Sequence, residues 1–240
     1  MRRTFVASVL LSTVAVAACA GPVPSSTKAQ SVPLSVSGSK KAQVQASKAH
    51  KPKKVLEAHK TGAPEASKPS SFTVGGVRCT SGVVVPDHVN VYKTASKASQ
   101  FLSVPMLTVG DDNDGAAGTP PLTDKRSMAW YKLGPKVGSN KGKALITTHT
   151  FHVGGASGNY MLAGARKPGG IVQFSVKGKP GPCYKISKVK TIRVDNYDPD
   201  SNLIYDNTGA PQVAIVVCDD YNYSIKEWES RVIFYGTLLK

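Results

Sequence analysis

A cysteine and an arginine near the C-terminal end of the sequence each stand beside an apolar run. Cys218 follows residues 213–217, which are mostly β-branched, and Arg231 precedes residues 232–234. A guanidinium near a thiol favours the thiolate, which is the nucleophilic form, and it can also stabilise an oxyanion. The two residues therefore predict a nucleophile and its electrostatic partner, provided that the fold brings them together.

A histidine upstream is the candidate for the acid–base group that a cysteine nucleophile needs. His149 ends the strand-like run 144–147, and His152 follows three residues later as a fallback in a predicted loop. Two histidines at one strand end, without a nearby cysteine or carboxylate cluster, are a weak signal for a metal. We therefore predict no metal site here. The other three histidines are predicted to be solvated: His50, His59 and His88.

The segments that must position these side chains are almost all strand-like. They are short, β-branched or alternating, and separated by Gly, Pro, Asn and Asp. The predicted strands are 83–92, 101–109, 143–148, 170–176, 184–194, 213–217 and 231–238. This pattern predicts an all-β domain, closed or nearly closed, with one or two short helical turns, for example near 158–162. The polar segment 219–230 is predicted to be a connection, so Cys218 would lie at a strand end, open to solvent.

The order His, Cys, Arg, each at a strand edge, resembles the arrangement in a sortase. The motifs that carry this resemblance are THTF at His149, VVCDDY at Cys218 and SRVIF at Arg231, with WYKLG before the histidine strand and GGIVQF after it. The match runs from about Gly82 to Leu238, and among sortases it is most similar to the class E and class F enzymes of actinobacteria. The resemblance implies an eight-stranded β-barrel.

The same resemblance implies a cysteine transpeptidase of a Gram-positive cell wall. Cys218 would attack the bond between Thr and Gly in an LPXTG-like sorting signal of a secreted protein and form a thioester. His149 would act as general acid and base, and Arg231 would stabilise the substrate and the oxyanion. The acceptor would be an amine of a peptidoglycan precursor or cross-bridge. No cofactor is implied.

Two residues depart from the family pattern. Sortases usually carry Thr directly before the catalytic cysteine, in a TLxTC-like segment, whereas Val217 stands there in this chain. If the missing hydroxyl orients substrate, the enzyme should be slower or differently selective. Thr148 replaces the frequent Gly before the histidine, which is a milder departure.

The first 20 residues have the composition of a secretory signal peptide. A basic start, Met1-Arg2-Arg3, precedes an apolar run that is too short for a membrane-spanning helix, which needs about 20 apolar residues. The segment before Cys19 resembles a lipobox, which predicts a lipoprotein, while Ala18-Cys19-Ala20 fits ordinary signal-peptidase cleavage. Both alternatives predict an extracytoplasmic protein, anchored at the membrane or associated with the wall.

Residues 21–71 are predicted to be a disordered tether, and residues 72–240 a catalytic domain. The tether has no aromatic residue but ten Ser, nine Lys and six Pro, so it cannot bury enough apolar surface to fold. Residues 1–71 carry eleven of the 31 Lys and Arg but two of the 15 acids, so they hold more than half of the net charge of +16. Such a basic tail suits a membrane surface or anionic wall polymers. Without a recognisable motif, nucleic acid is not a predicted partner.

The roles of the remaining cysteines and acidic residues are less clear from the sequence. If Cys19 is removed or lipidated, the mature domain keeps an odd number of cysteines. Cys79 and Cys183 could then form a disulfide, and Cys218 would remain as the leftover thiol. The acidic segment 111–115 does not match a calcium loop and is better explained by a hairpin turn. Asp195, Asp198, Asp200 and Asp206 show no ligand pattern, so no calcium requirement is predicted.

Two other kinds of protein compete with this interpretation. An exported cysteine peptidase or peptidoglycan hydrolase would also use a thiol, but papain-like enzymes place Cys before His, and L,D-transpeptidases have an SHGCxR-like cluster that is missing here. A non-catalytic, secreted β-domain that binds wall polymers would leave the three residues unrelated in space. Reaction of a thiol probe with Cys218, controlled by Cys218→Ala, would separate that class from an enzyme.

Overall fold

The computed structural model describes residues 70–113, 115–198 and 201–240. The predicted signal peptide, Cys19 and almost all of the predicted tether lie outside the described residues. The predicted start of the folded domain, Phe72, falls inside the first strand, which begins at Ser71.

Eight strands close into a barrel, as predicted, and two more form a separate ribbon. The ribbon strands are β1 (Ser71–Val74) and β2 (Val77–Thr80). The barrel strands are β3 (His88–Tyr92), β4 (Gln100–Val109), β5 (Met128–Tyr131), β6 (Lys143–Thr148), β7 (Ile171–Val176), β8 (Lys179–Arg193), β9 (Gln212–Asn222) and β10 (Glu227–Leu238). Their order around the barrel is β10-β8-β7-β3-β4-β5-β6-β9. The β4–β5 and β6–β9 pairs are parallel, and the other pairs whose register is known are antiparallel.

The predicted strands agree with the structure where the sequence is rich in β-branched residues. β6 has the predicted bounds, and helix α1 (Ser157–Gly164) includes the predicted turn. The ribbon strands and β5 were not predicted, because four-residue strands carry too little pattern to recognise. The prediction of strand at 83–87 is wrong, because this segment contains a single bridge, from Val84 to Val137. The turn predicted at 111–115 is confirmed by a bridge between Asp111 and Ala117.

The interior of the barrel is filled by alternate residues of the strands. One apolar cluster contains inward side chains from every barrel strand, among them Ile146 on β6, Ile215 and Val217 on β9, and Val232 and Phe234 on β10. Because side chains alternate between the two faces of a strand, the residues between these point outward. This alternation decides which residues of β6, β9 and β10 can form a site on the outer surface.

A long connection between β8 and β9 covers part of that outer surface. It begins with a short 3₁₀ turn, Val194–Asn196, and continues to residue 211. Tyr197, Leu203 and Ile204 from this connection pack on outward side chains of the barrel, including Ala214 and Ile233. The connection is therefore packed against the outer face of the barrel.

Lys143 of β6 binds the backbone of this connection through its ammonium group. The side chain is only 5% exposed, and its Nζ donates hydrogen bonds to the carbonyl oxygens of Asn202 and Leu203. The ammonium also lies 5.2 Å from the ring centroid of Tyr235. Burial lowers the pKa of Lys143, and the nearby Asp206 opposes this effect. The two carbonyl contacts and the aromatic ring offset the cost of burying the charge.

Replacing Lys143 by methionine is expected to lower the free energy of unfolding by about 1–3 kcal/mol, because two carbonyl oxygens lose a buried charged donor. Hydrogen exchange should become faster in residues 201–207, and denaturant unfolding measures the stability. The matched control is Lys141→Met in the exposed β5–β6 connection, which should change stability by less than about 0.5 kcal/mol. Equal effects of the two substitutions would contradict an anchoring role for Lys143.

The β1–β2 ribbon is attached to the barrel by a disulfide. Cys79 of β2 and Cys183 of β8 are bonded, with their Cα atoms 5.6 Å apart, which answers the question that the sequence left open. Both cysteines belong to a small buried cluster with Val77, Tyr92 and Ile171. The disulfide and this cluster hold a ribbon that would otherwise be too small to be stable.

Candidate active site

Cys218 and Arg231 lie directly opposite each other on neighbouring antiparallel strands, β9 and β10. Directly opposite side chains share one face of a sheet, with Cβ atoms about 4.5–5.5 Å apart. Ala214 and Ile233, which have the same alternation as Cys218 and Arg231, belong to the outer apolar cluster. The fold therefore brings the predicted nucleophile and the predicted guanidinium together on the outer face of the barrel.

His149 reaches the other side of Cys218 through the pairing of β6 with β9. The two strands are parallel, and their last paired residues are Thr147 and Val216. Cys218 lies two residues beyond Val216 on β9, and His149 directly follows the last residue of β6. The three predicted residues thus lie side by side at or directly after three adjacent strands, in the order imidazole, sulfur and guanidinium, and they are called the row below.

The strands around this row are longer than the sequence predicts. β9 continues for four residues past Cys218, and only residues 223–226 of the predicted connection 219–230 form a turn. The prediction failed because these residues are polar, whereas the hairpin is stabilised by cross-strand contacts. Tyr221 and Trp228 are opposite each other, with ring centroids 5.1 Å apart, and Asn222 donates to the carboxylate of Glu229 at 2.7 Å.

Cys218 is completely buried, so the expectation of a thiol open to solvent at a strand end is wrong. It is also disulfide-bonded. The prediction of a leftover thiol concerns the mature domain, in which Cys19 is removed or lipidated. Thiolate chemistry at Cys218 requires that this bond is first reduced.

His149 is buried against polar and aromatic neighbours and is only 2% exposed. Its Nε2 atom lies 2.5 Å from the carbonyl oxygen of Pro120, and its ring meets Phe151 edge-on at a centroid distance of 5.9 Å. Burial lowers the pKa of His149, while the Pro120 carbonyl and the charge of Asp124 partly oppose this. The imidazole is therefore biased towards the neutral form before substrate binds.

Arg231 is half-buried and held by backbone carbonyls. Its Nη1 atom donates to the carbonyl oxygens of Trp228, at 3.2 Å, and Ser230, at 3.1 Å. Burial lowers the pKa of Arg231, and the charge of Glu227 opposes this. A guanidinium has five N–H donors, so these two contacts leave other donors for a ligand.

His152, the fallback histidine, belongs to an aromatic stack rather than to the row. Its ring lies parallel to that of Tyr221 at 4.8 Å and meets Tyr223 edge-on at 5.8 Å. Within the described ranges, no three His, Cys, Asp or Glu residues gather closely enough to hold a metal ion. The predictions that metal, calcium and cofactors are not required are left untested by this geometry.

The two departures from the family pattern point away from the groove. Val217 is fully buried in the barrel interior, so a hydroxyl at this position would not face a substrate bound along the outer row. The expectation that a missing hydroxyl here makes the enzyme slower or differently selective stays a prediction. Thr148 donates to the carbonyl oxygen of Ser127 at 3.1 Å, which gives this side chain a structural role.

Sequence reasoning missed several residues that support the row. Arg166, which follows helix α1, forms a 2.6 Å ion pair with Asp219, next to Cys218. Pro120 contacts His149 from 29 residues away in the sequence. A Pro-Pro pair indicates a rigid turn, but no local pattern gives the strand against which that turn packs.

Comparisons with known proteins give matches to solved structures only, all at low similarity. Neither a family model nor a curated protein sequence matches this chain. Among solved structures, the chain is similar to sortase C-1 of Actinomyces oris, with 14% identity, 63% of this chain and 73% of that chain covered, and a TM-score of 0.45. It is also similar to sortase A of Listeria monocytogenes, with 14% identity, coverages of 66% and 89%, and a TM-score of 0.45. A third is sortase C of Streptococcus pneumoniae, with 16% identity, coverages of 65% and 68%, and a TM-score of 0.43.

These structures belong to sortase classes A and C, so the likeness to classes E and F stays a prediction. In the part of the chain that the structure describes, no helix has the length and apolar character needed to cross a membrane. The chain has the eight-stranded barrel with one α-helix that was predicted from its likeness to sortases.

Proposed function

We propose that this protein is a sortase, a cysteine transpeptidase that cleaves an LPXTG-like sorting signal and joins the new C-terminus to a cell-wall amine. One observation carries the proposal: Arg231 is directly opposite Cys218 on the β9–β10 pair, and His149 directly follows β6, the strand that pairs with β9 on the other side. Three side chains with complementary roles in acyl transfer, drawn from distant parts of the sequence, are a strong geometric indication of a catalytic site.

The first half of the reaction forms a thioester. The thiolate of reduced Cys218 attacks the carbonyl carbon of the Thr-Gly bond, and the carbonyl oxygen becomes an oxyanion that Arg231 stabilises. When the C–N bond breaks, the imidazolium of His149 gives its proton to the leaving glycine amine. The C-terminal fragment leaves, and the secreted protein stays attached to sulfur.

The second half transfers the acyl group to an amine of a peptidoglycan precursor or cross-bridge. Neutral His149 accepts a proton from the attacking amine, the new amide bond forms, and the Cys218 thiolate leaves. Water in place of the amine would give hydrolysis. The packed β8–β9 connection and the β9–β10 hairpin stand on either side of the row, and we infer that they wall the groove for the signal.

The proposed environment of this reaction is the outer side of the membrane. The predicted signal peptide and basic tether would deliver the protein there, as a lipoprotein if Cys19 is lipidated. A tether rich in lysine would keep the barrel near anionic lipids or wall polymers. Both the exported substrate and a lipid-linked precursor are accessible from that position.

The test is a cleavage and transfer assay with the mature chain under reducing conditions. Quenched LPXTG and LAXTG peptides are offered with and without amine acceptors, and mass spectrometry identifies the products. We expect cleavage between Thr and Gly and an acceptor-linked product, both absent in Cys218→Ala. Cleavage that persists in Cys218→Ala would exclude the proposed nucleophile, and hydrolysis without any transfer would favour a cysteine peptidase.

A further inference from the structure

The connection between β4 and β5 folds over the end of β6, where His149 lies. Residues 118–127 of this connection are called the strap below. At its start, the carbonyl oxygen of Gly118 accepts a hydrogen bond from the Thr147 hydroxyl at 2.7 Å. At its end, the carbonyl oxygen of Ser127 accepts one from Thr148. The two residues that precede His149 therefore fix both ends of the strap.

The second half of the strap is also fixed to helix α1 and to itself. The Ser157 backbone N–H donates to the carbonyl oxygen of Lys125 at 2.9 Å, and the Ser157 hydroxyl donates to that of Arg126. The Asp124 carboxylate accepts the backbone N–H groups of Arg126 and Ser127 at 3.0 and 2.9 Å. With its hydrogen bonds made on both sides, the strap is a rigid element.

His149 lies under this rigid element with one ring nitrogen already committed. Its Nε2 atom is 2.5 Å from the carbonyl oxygen of Pro120, and a carbonyl oxygen can only accept a hydrogen bond. The hydrogen must therefore be on Nε2. The main chain of the same residue is held as well, because its carbonyl oxygen accepts the N–H of Gly158 at 2.9 Å.

We propose that the strap positions the acid–base histidine: the Pro120 carbonyl keeps a hydrogen on Nε2, so that Nδ1 is the nitrogen that exchanges protons with the substrate. This role rests on the proposed function of His149. In the imidazolium both nitrogens carry hydrogen, and the one on Nδ1 moves to the leaving amine while Nε2–H stays on the carbonyl. The incoming amine later returns a proton to Nδ1.

Charged groups from three elements influence this proton. The strap contributes Asp124, whose charge favours the imidazolium, and Lys125, whose Nζ lies 5.0 Å from the ring centroid of Phe151. The neighbouring strands contribute Cys218, which favours the imidazolium when it is a thiolate, and Arg231, which opposes it.

The direct test is an NMR measurement on the reduced chain with ¹⁵N-labelled histidine. We expect a protected one-bond Nε2–H signal from a side chain that is 2% exposed, together with the shift of a hydrogen-free Nδ1 at neutral pH. His149→Gln, which removes the signal, assigns it. A hydrogen on Nδ1 without one on Nε2, or no protected imidazole N–H, would overturn the proposal.

A variant then tests whether the strap does the positioning. Thr147→Val removes the hydroxyl that holds Gly118 while keeping the side-chain shape, so the Nε2–H signal should lose its protection and kcat should fall by about 10- to 100-fold with little change in KM. The matched control is Thr80→Val, which breaks the same kind of bond to the Pro180 carbonyl, on the ribbon. The control should keep both the signal and kcat.

The possible results separate this proposal from the proposed function. The NMR signal needs no substrate, so a bonded Nε2–H in a chain without transpeptidase activity would leave the strap geometry intact and count against the function. An active enzyme whose His149 carries hydrogen on Nδ1 but none on Nε2 would leave the function intact and overturn the role of the strap. An unchanged signal and kcat in Thr147→Val would show that the strap does not position His149.

Discussion

Arg231→Ala is expected to lower kcat/KM by about 10²–10³-fold, corresponding to about 3–4 kcal/mol of transition-state stabilisation. The guanidinium is directly opposite Cys218 and already oriented by two backbone carbonyls. An oriented donor stabilises the oxyanion without having to reorganise during the reaction, which is why its loss is costly. Steady-state cleavage of the quenched peptide by reduced enzyme measures the effect.

Arg231→Lys should recover only part of this loss. Lysine keeps the positive charge, but it lacks the planar set of donors that can bond carbonyls and an oxyanion together. Arg193→Ala is the matched control, because Arg193 is opposite the neighbouring residue, Ser230, but is exposed and pairs with Asp195. Full activity in Arg231→Ala, or an equal loss in the control, would contradict a direct role for Arg231.

Removal of the disulfide with Cys79→Ala and Cys183→Ala is expected to lower the free energy of unfolding by about 4–5 kcal/mol. The bond joins residues that are 104 positions apart, so its loss frees a long segment in the unfolded chain. Both side chains are fully buried, which adds a packing cost to the entropic one. Denaturant unfolding under oxidising conditions measures the change.

The matched control separates this disulfide from the one at Cys218. In a Cys218→Ala background, adding reductant breaks the bond between Cys79 and Cys183 without altering Cys218 chemistry. It should reproduce most of the loss seen in the double variant. A change below about 1 kcal/mol in both experiments would contradict the expected stabilisation by this disulfide, and residual structure in the denatured state is a known cause of so small an effect.

The sequence could predict those features of the site that depend on residue type, but not those that depend on the register between distant strands. His149, Cys218 and Arg231 could be named because their chemistry is carried by residue type and each stands beside an apolar run. Their alignment depends on registers between strands that are far apart in the sequence, since Thr147 pairs with Val216. No local pattern contains that register.

The failed predictions have the same origin. The hairpin beyond Cys218 was interpreted as a loop because its residues are polar, while cross-strand contacts such as Tyr221 with Trp228 make it a strand pair. The prediction that the Cys218 thiol is open to solvent was wrong, because the burial of a side chain depends on the segments that pack over its strand. The short strands β1, β2 and β5 are likewise stabilised by partners elsewhere in the chain.

The sequence by itself determined the all-β class, the positions of the main strands and the identity of three reactive side chains. These properties follow from residue type and from alternation along one strand, which are local. Only the tertiary structure decided that the three side chains form one row, that Val217 points into the core and that Pro120 holds His149. Each of these depends on contacts between distant segments, whose geometry is fixed only when the barrel closes.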